Sequence, residues 1–147
     1  MNTFDASTPE PEGLLLRRQP MRVRWGDMDA LGHVNNTVYF RYFEQIRIEW
    51  IEEFGFGAAG QPHGPVIVDA HAEFLKPIVF PAQLDVRMGG HSPGRSSFVT
   101  SYTISIDGLL YTRGHSRVVW VDHMAGRSAP LPTALRVAVG GNDAASK

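Results

Sequence analysis

Between Thr37 and Phe54 the chain carries Tyr39, Tyr42, Phe43, Ile46, Trp50 and Phe54 at helical spacing, which predicts one long helix with a single apolar stripe. Phe40 and Ile51 widen the stripe beyond what a surface helix carries, and Arg41, Glu44, Glu49 and Glu52 leave only a narrow wet face. A segment of this length makes a rod of roughly 27 Å. Most of its circumference has to be covered by something else. Asn35 or Asn36 supplies the N-cap, since an amide oxygen can accept from a first-turn N–H. Gly55 and Gly57 stop the helix.

The rest of the chain reads as the cover. Met21 to Trp25 alternates apolar and basic residues, a strand pattern. After a Gly/Pro-rich crossover (residues 55–65), strands are expected at Val66 to Leu75, Gln83 to Gly90, Arg95 to Asp107 and Leu109 to Asp122. Asp107-Gly108 marks a tight hairpin between the last two. Ala129 to Val139, with Pro130 and Pro132 near its start, reads as a short terminal helix. This order predicts an α+β layer: an antiparallel sheet of about five strands wrapped around one long central helix. Ile, Val and Tyr are expected to remain on the outer sheet face, which predicts a partner subunit. Residues 1–19 read as a flexible N-terminal arm, 20–139 as the folded domain and 140–147 as a loose tail.

A chain of 147 residues fits one domain. A net charge of -1 argues against a nucleic-acid binder that relies on bulk positive charge. With no cysteine, disulfides and thiolate metal sites are excluded. No apolar run approaches the roughly 20 residues of a membrane span, and the N-terminus lacks the basic-then-apolar order of a signal peptide. The expectation is a cytoplasmic protein without membrane or nucleic-acid partners. The six histidines show no H-x-x-x-H pair or carboxylate cluster, so no metal is expected.

The chemistry concentrates just before the helix, in Trp25-Gly26-Asp27-Met28-Asp29-Ala30-Leu31-Gly32-His33-Val34-Asn35-Asn36. Two carboxylates precede a helix N-terminus, where backbone N–H groups are free and the dipole is positive. That combination can hold a carbonyl oxygen while an acid acts beside it. Asp27 and Asp29 are two apart, so in an extended stretch they point to opposite sides and do not form a close pair. One faces the site and the other ties down the turn. A purely structural alternative has both acids capping the turn or pairing with Arg22 or Arg24. His33 is placed to orient Asp29 or to touch a substrate, or to act as a hydrogen-bonded turn residue.

Three motifs fail on context. Gly55 to Gly60 fits G-x-G-x-x-G but follows a helix instead of a strand. Gly90-His91-Ser92-Pro93-Gly94 fits G-x-S-x-G, but Pro93 has no N–H to give an oxyanion hole, and a strand follows where a helix is required. It reads as a hairpin turn. Asn35-Asn36-Thr37 fits a glycosylation acceptor, in a chain without a secretion signal.

The run from Arg24 to Glu44, with Arg47 after it and Phe74-Leu75-Lys76-Pro77-Ile78 downstream, resembles the hotdog-fold acyl-CoA thioesterases of the 4-hydroxybenzoyl-CoA thioesterase type. The resemblance implies a hotdog fold and hydrolysis of an acyl-CoA to free acid and coenzyme A, with no cofactor. It places the catalytic carboxylate, nucleophile or general base, on Asp29. It places the backbone N–H that polarises the thioester carbonyl on Asn36. His33 is a third candidate catalytic residue; Thr37 and Tyr39 are the candidate substrate-binding residues. It also implies sites at the interfaces of a homodimer or homotetramer. Lys76, Arg87, Arg95, Arg113, Arg117 and Arg127 are the candidates to meet phosphates. Two other functions fit the same residues: a hotdog enoyl-thioester hydratase, which needs a paired Asp and His, and a non-catalytic acyl-CoA binder. A serine esterase using Ser92 is a third, remote class.

Overall fold

The computed structural model describes residues 9–57 and 59–142. In chain order these form β1 (Leu14–Arg22), a 3₁₀ turn (Trp25–Asp27), α1 (Asn36–Glu52), β2 (His63–Phe74), β3 (Gln83–His91), β4 (Ser97–Ile106), β5 (Leu109–Asp122), β6 (Arg127–Ser128) and α2 (Thr133–Ala138). The strands make one antiparallel sheet in the order β1-β3-β4-β5-β2, with the short β6 on β5. α1 packs across one face of it, as a hotdog fold requires.

Most of the stripe read from the sequence is the face that α1 buries: Tyr39, Tyr42, Phe43, Ile46, Trp50 and Ile51 lie in the core, while Phe40 is exposed and Phe54 falls past the helix end, partly buried. Phe43 stacks on Tyr102 of β4 at 4.4 Å between ring centroids, and Trp50 meets Phe98 edge-on at 6.0 Å. Gly114 of β5 makes room for this contact. A Cβ built there would sit 2.5 Å from the His71 carbonyl oxygen and 2.8 Å from the Phe43 ring. Beneath the helix runs a polar strip. Arg47, only 8% exposed, donates to the Tyr102 hydroxyl at 2.9 Å, and that hydroxyl also meets Thr100 and Ser116. Sharing these partners is what makes a buried guanidinium tolerable.

Two expectations are corrected. The first concerns the arm. Residues 1–8 lie outside the described residues, but 14–19 belong to β1, which begins seven residues before the expected strand and ends before Trp25. Leu14-Leu15-Leu16 has no period-2 pattern, and a register shift between Leu15 and Arg17 breaks what alternation exists. Pro20 sits in the strand because β1 is an edge, where a missing N–H costs little. Arg17 and Gln19 bind Glu53 and Glu49 of α1, tying this edge to the helix. The tail beyond residue 142 also lies outside the described residues.

The second correction is the outer sheet face. Along β4, Phe98, Thr100, Tyr102 and Ile104 turn to α1. Their alternates Ser101, Thr103 and Ser105 turn away. Arg87, paired with Asp85 and Glu10, joins them, as do His115 and Arg113. Over its middle that face is polar and ion-paired. The strand pattern was long enough to hide which set of alternates would be spent on the helix.

Candidate functional site

The segment between β1 and α1 is built by its own side chains. Asp27 closes the 3₁₀ turn by accepting from the Arg24 N–H at 3.0 Å. The same carboxylate accepts from the Tyr42 hydroxyl at 2.8 Å, which ties the turn to the second turn of α1. Burial first, then that hydrogen bond to an anion, hold the Tyr42 hydroxyl well above its ordinary pKa, so it stays a donor. Asp29 begins a tight loop. Its N–H donates to the His33 carbonyl at 3.1 Å, and Gly32, at φ 90°, returns its N–H to the Asp29 carbonyl at 3.1 Å. A side chain there would be strained, so the glycine sets the loop's shape. The loop is pinned to the β2–β3 connection: Val34 N–H donates to Ile78 at 2.8 Å, and Phe80 N–H meets the Met28 sulfur at 3.3 Å.

The two acids therefore separate, as the spacing predicts. Asp27 ties the turn and lines a cleft of about 990 Å³ between β1 and α1, with Tyr42, Arg24, Arg41 and Phe80 among its walls. Asp29 lines a second cleft of about 530 Å³ with Trp25, Gly26, Met28, Ala30 and Phe80. Phe80 stands between the two. Trp25 and Leu31, at the rim, are 77% and 79% exposed, an unusual outlay of apolar surface around an ionisable group.

The Asp29 carboxylate uses both oxygens. Oδ1 accepts from the Leu31 N–H at 2.9 Å, and Oδ2 accepts from the Asn35 side-chain amide at 3.0 Å. Asn35 is the N-cap: its Oδ1 accepts from the Thr37 N–H at 2.9 Å and from the Thr37 hydroxyl at 2.6 Å. Asn36 is the first helical residue, and its backbone N–H has no acceptor among the described residues. Asn35 thus grips the acid with its side chain and directly precedes the free N–H in the chain, while the walls of the Asp29 cleft come from Trp25 to Ala30 and Phe80.

The other sequence candidates fall differently. His33 is half-buried, with Nδ1 3.3 Å from the Val34 carbonyl, and the Asp29 side chain is held by Asn35 instead. Thr37 is exposed and spends its hydroxyl on Asn35. Tyr39 is 1% exposed, edge-on to Phe74 at 4.8 Å, so its ring is core. Ser92 lies in the β3–β4 hairpin, as expected, and a strand follows it. Two site residues escaped the sequence reading. Asn35 was seen only as a possible cap, although the Asn-Asn pair held the signal. Phe80 comes from a distant loop and left none.

The family model of the thioesterase-like superfamily matches residues 23–139. Among solved structures, a Pseudomonas aeruginosa protein provisionally named a thioesterase is 40% identical, with a TM-score of 0.82 over 86% of this chain and 99% of that one. A Xanthomonas campestris protein provisionally named an acyl-CoA thioesterase is 32% identical, with a TM-score of 0.71 over 80% of this chain and 99% of that one. A gentisyl-coenzyme A thioesterase is 25% identical, with a TM-score of 0.76 over 84% of this chain and all (100%) of that one. With the match running from the end of β1 to α2, and the candidate acid and helix start inside it, the chain belongs to the thioesterase-like superfamily and is a hotdog-fold thioester hydrolase.

Proposed function

We propose that this hydrolase acts on acyl-coenzyme A, with Asp29 as base or nucleophile and the Asn36 N–H as oxyanion donor. Attack on the thioester carbonyl carbon, by water that gives its proton to Asp29 or by Asp29 itself, puts negative charge on the carbonyl oxygen. The unpaired Asn36 N–H and the helix dipole meet that charge. Collapse expels the thiolate: in the water route this leaves the free acid, and in the nucleophilic route it leaves an anhydride on Asp29, which water then hydrolyses to the free acid and the regenerated carboxylate. The observation that carries this reading is the free N–H at residue 36 beside the Asn35 that grips Asp29. The apolar wall of Trp25, Met28 and Phe80 suits an apolar acyl group, and the thioesterase neighbours support a coenzyme A leaving group. A hydratase would need His33 against Asp29, and His33 bonds to neither oxygen.

A second copy of the chain completes the proposal. β2 is the far edge of the sheet, paired only to β5 among the described residues, and Phe74, Leu75 and Val79 near its end are exposed.

Acyl-CoA hydrolysis with free-thiol detection tests the chemistry. Asp29→Ala is expected to lose at least ~10²-fold in turnover. Asn36→Ala keeps the backbone donor and is expected to lose little. Asn36→Pro removes that N–H at the one helical position where proline is favoured. Asn35 already has the extended backbone that a residue before proline prefers, at φ -63°, ψ 138°. A loss of about 10²-fold or more is expected with the helix intact. Full activity in Asn36→Pro, or in Asp29→Ala, defeats the assignment.

A further inference from the structure

We propose that Asn35 is a positioning residue: its one amide locks the Asp29 carboxylate to the first turn of α1, so that base and oxyanion donor move as a unit. This deepens the hydrolase reading and rests on it. The amide has a single workable orientation. Oδ1 accepts from the Thr37 N–H and hydroxyl, and Nδ2 donates to Asp29 Oδ2. Rotating it by half a turn would set the amide oxygen against the carboxylate and NH₂ against a backbone donor, losing the bonds to Asp29 and to the Thr37 N–H; only the Thr37 hydroxyl, which can also accept, could pair again. Capping alone does not explain the residue. Ser, Thr and Asp cap helices as well as Asn does, but none offers both an acceptor for the helix and an N–H donor long enough to reach Asp29.

The geometry gives the second bond a job. The Leu31 N–H holds Oδ1 from within the loop, and one such bond leaves the carboxyl room to pivot about that contact. The bond from Asn35 removes that freedom and references Oδ2 to the helix instead of to the loop. Asn35 N–H also donates to the Asp27 carbonyl at 3.0 Å, so the residue is itself held by the 3₁₀ turn. Misplacement of a reacting group by about 1 Å costs about 10²-fold in rate, and that is the scale at stake.

The test compares wild type, Asn35→Ser, Asn35→Asp and Asp29→Ala. Both Asn35 variants keep a cap acceptor and lose the donor. Asn35→Ser introduces no charge, and Asn35→Asp preserves shape. Each is assayed for kcat and KM on benzoyl-CoA and hexanoyl-CoA, for Tm, and for the Asp29 carboxyl ¹³C chemical shift at pH 7. Expected for Asn35→Ser is a kcat lower by about 10- to 100-fold, KM changed less than about threefold and Tm nearly unchanged. The Asp29 carboxyl ¹³C signal at pH 7 is expected to move away from its wild-type position, because one hydrogen-bond donor to Oδ2 has gone. Asn35→Asp is expected to lose at least as much kcat. A kcat within about twofold of wild type in both variants overturns the proposal, as does an unchanged Asp29 carboxyl signal in Asn35→Ser. If wild type hydrolyses neither thioester, the hydrolase reading for these substrates fails, and the Asp29 carboxyl signal still decides whether Asn35 holds Asp29.

Discussion

At the scale of single residues, the site divides labour between two aspartates that look alike in the sequence. Asp27 holds the backbone entering the helix, and Asp29 lines the cleft whose rim is Trp25. Replacing the Tyr42 hydroxyl tests the first role. Tyr42→Phe leaves a half-buried carboxylate without its side-chain donor, a loss of about 1.5 kcal/mol. At this length that is about 3–6 °C in Tm, read by thermal denaturation, with KM for acyl-CoA moving more than Tm would require if the Asp27 cleft belongs to the substrate path. Asp27 and Asp29 do go separate ways, but not through the period-2 geometry that their spacing suggested: Asp27 ends the 3₁₀ turn and Asp29 opens the loop after it. Which acid took which role was not legible. That depended on Tyr42 arriving over Asp27 and on Asn35 arriving over Asp29.

At the scale of elements, the helix and the hairpin strands were visible and the edge was not. α1 announced itself through six large apolar residues at one spacing, and β4–β5 through long alternation around Asp107-Gly108. β1 was legible only at its end, Met21 and Arg22, because an edge strand tolerates proline, bulges and weak patterning. Gly114 illustrates packing that no local pattern encodes. Gly114→Ala forces a methyl against the His71 carbonyl and the Phe43 ring. We expect a loss of about 1–3 kcal/mol by chemical denaturation, and unchanged Tm in this variant would refute the close approach of β5 to α1. The turn after β5 gives a pH prediction. Asp122 Oδ1 accepts from the Ala125 and Met124 N–H groups, and these bonds, Ala125 first, hold its pKa below the ordinary carboxylate value, with His63 adding a smaller pull. A depressed folded pKa means the turn's stabilisation is complete above the ordinary value of about 3.9. It is lost as pH falls through the lower folded value. Amide NMR shifts of Met124 and Ala125 should hold steady from neutrality to about pH 4 and move only below it.

At the scale of the whole molecule, the sheet ends on β2, whose outer edge is unpaired among the described residues, and Trp25 and Leu31 stand exposed beside Asp29 in the chain. Light scattering is expected to give a mass at least twice the 16.3 kDa of one chain. A monomer that is fully active at micromolar concentration would remove the second copy from the proposal. What the amino-acid order determined by itself was periodic and local: a helix apolar on most of its surface, strands with tight turns, and two acids ahead of a capped helix start. Periodicity carries that information because backbone geometry repeats every 3.6 or 2 residues. What only the tertiary structure decided was which alternates of each strand meet the helix, that Phe80 divides two clefts, and that Asn35 holds Asp29. Those depend on contacts between segments far apart in the chain, or on the angle at which a loop meets a helix, and neither leaves a repeat to read.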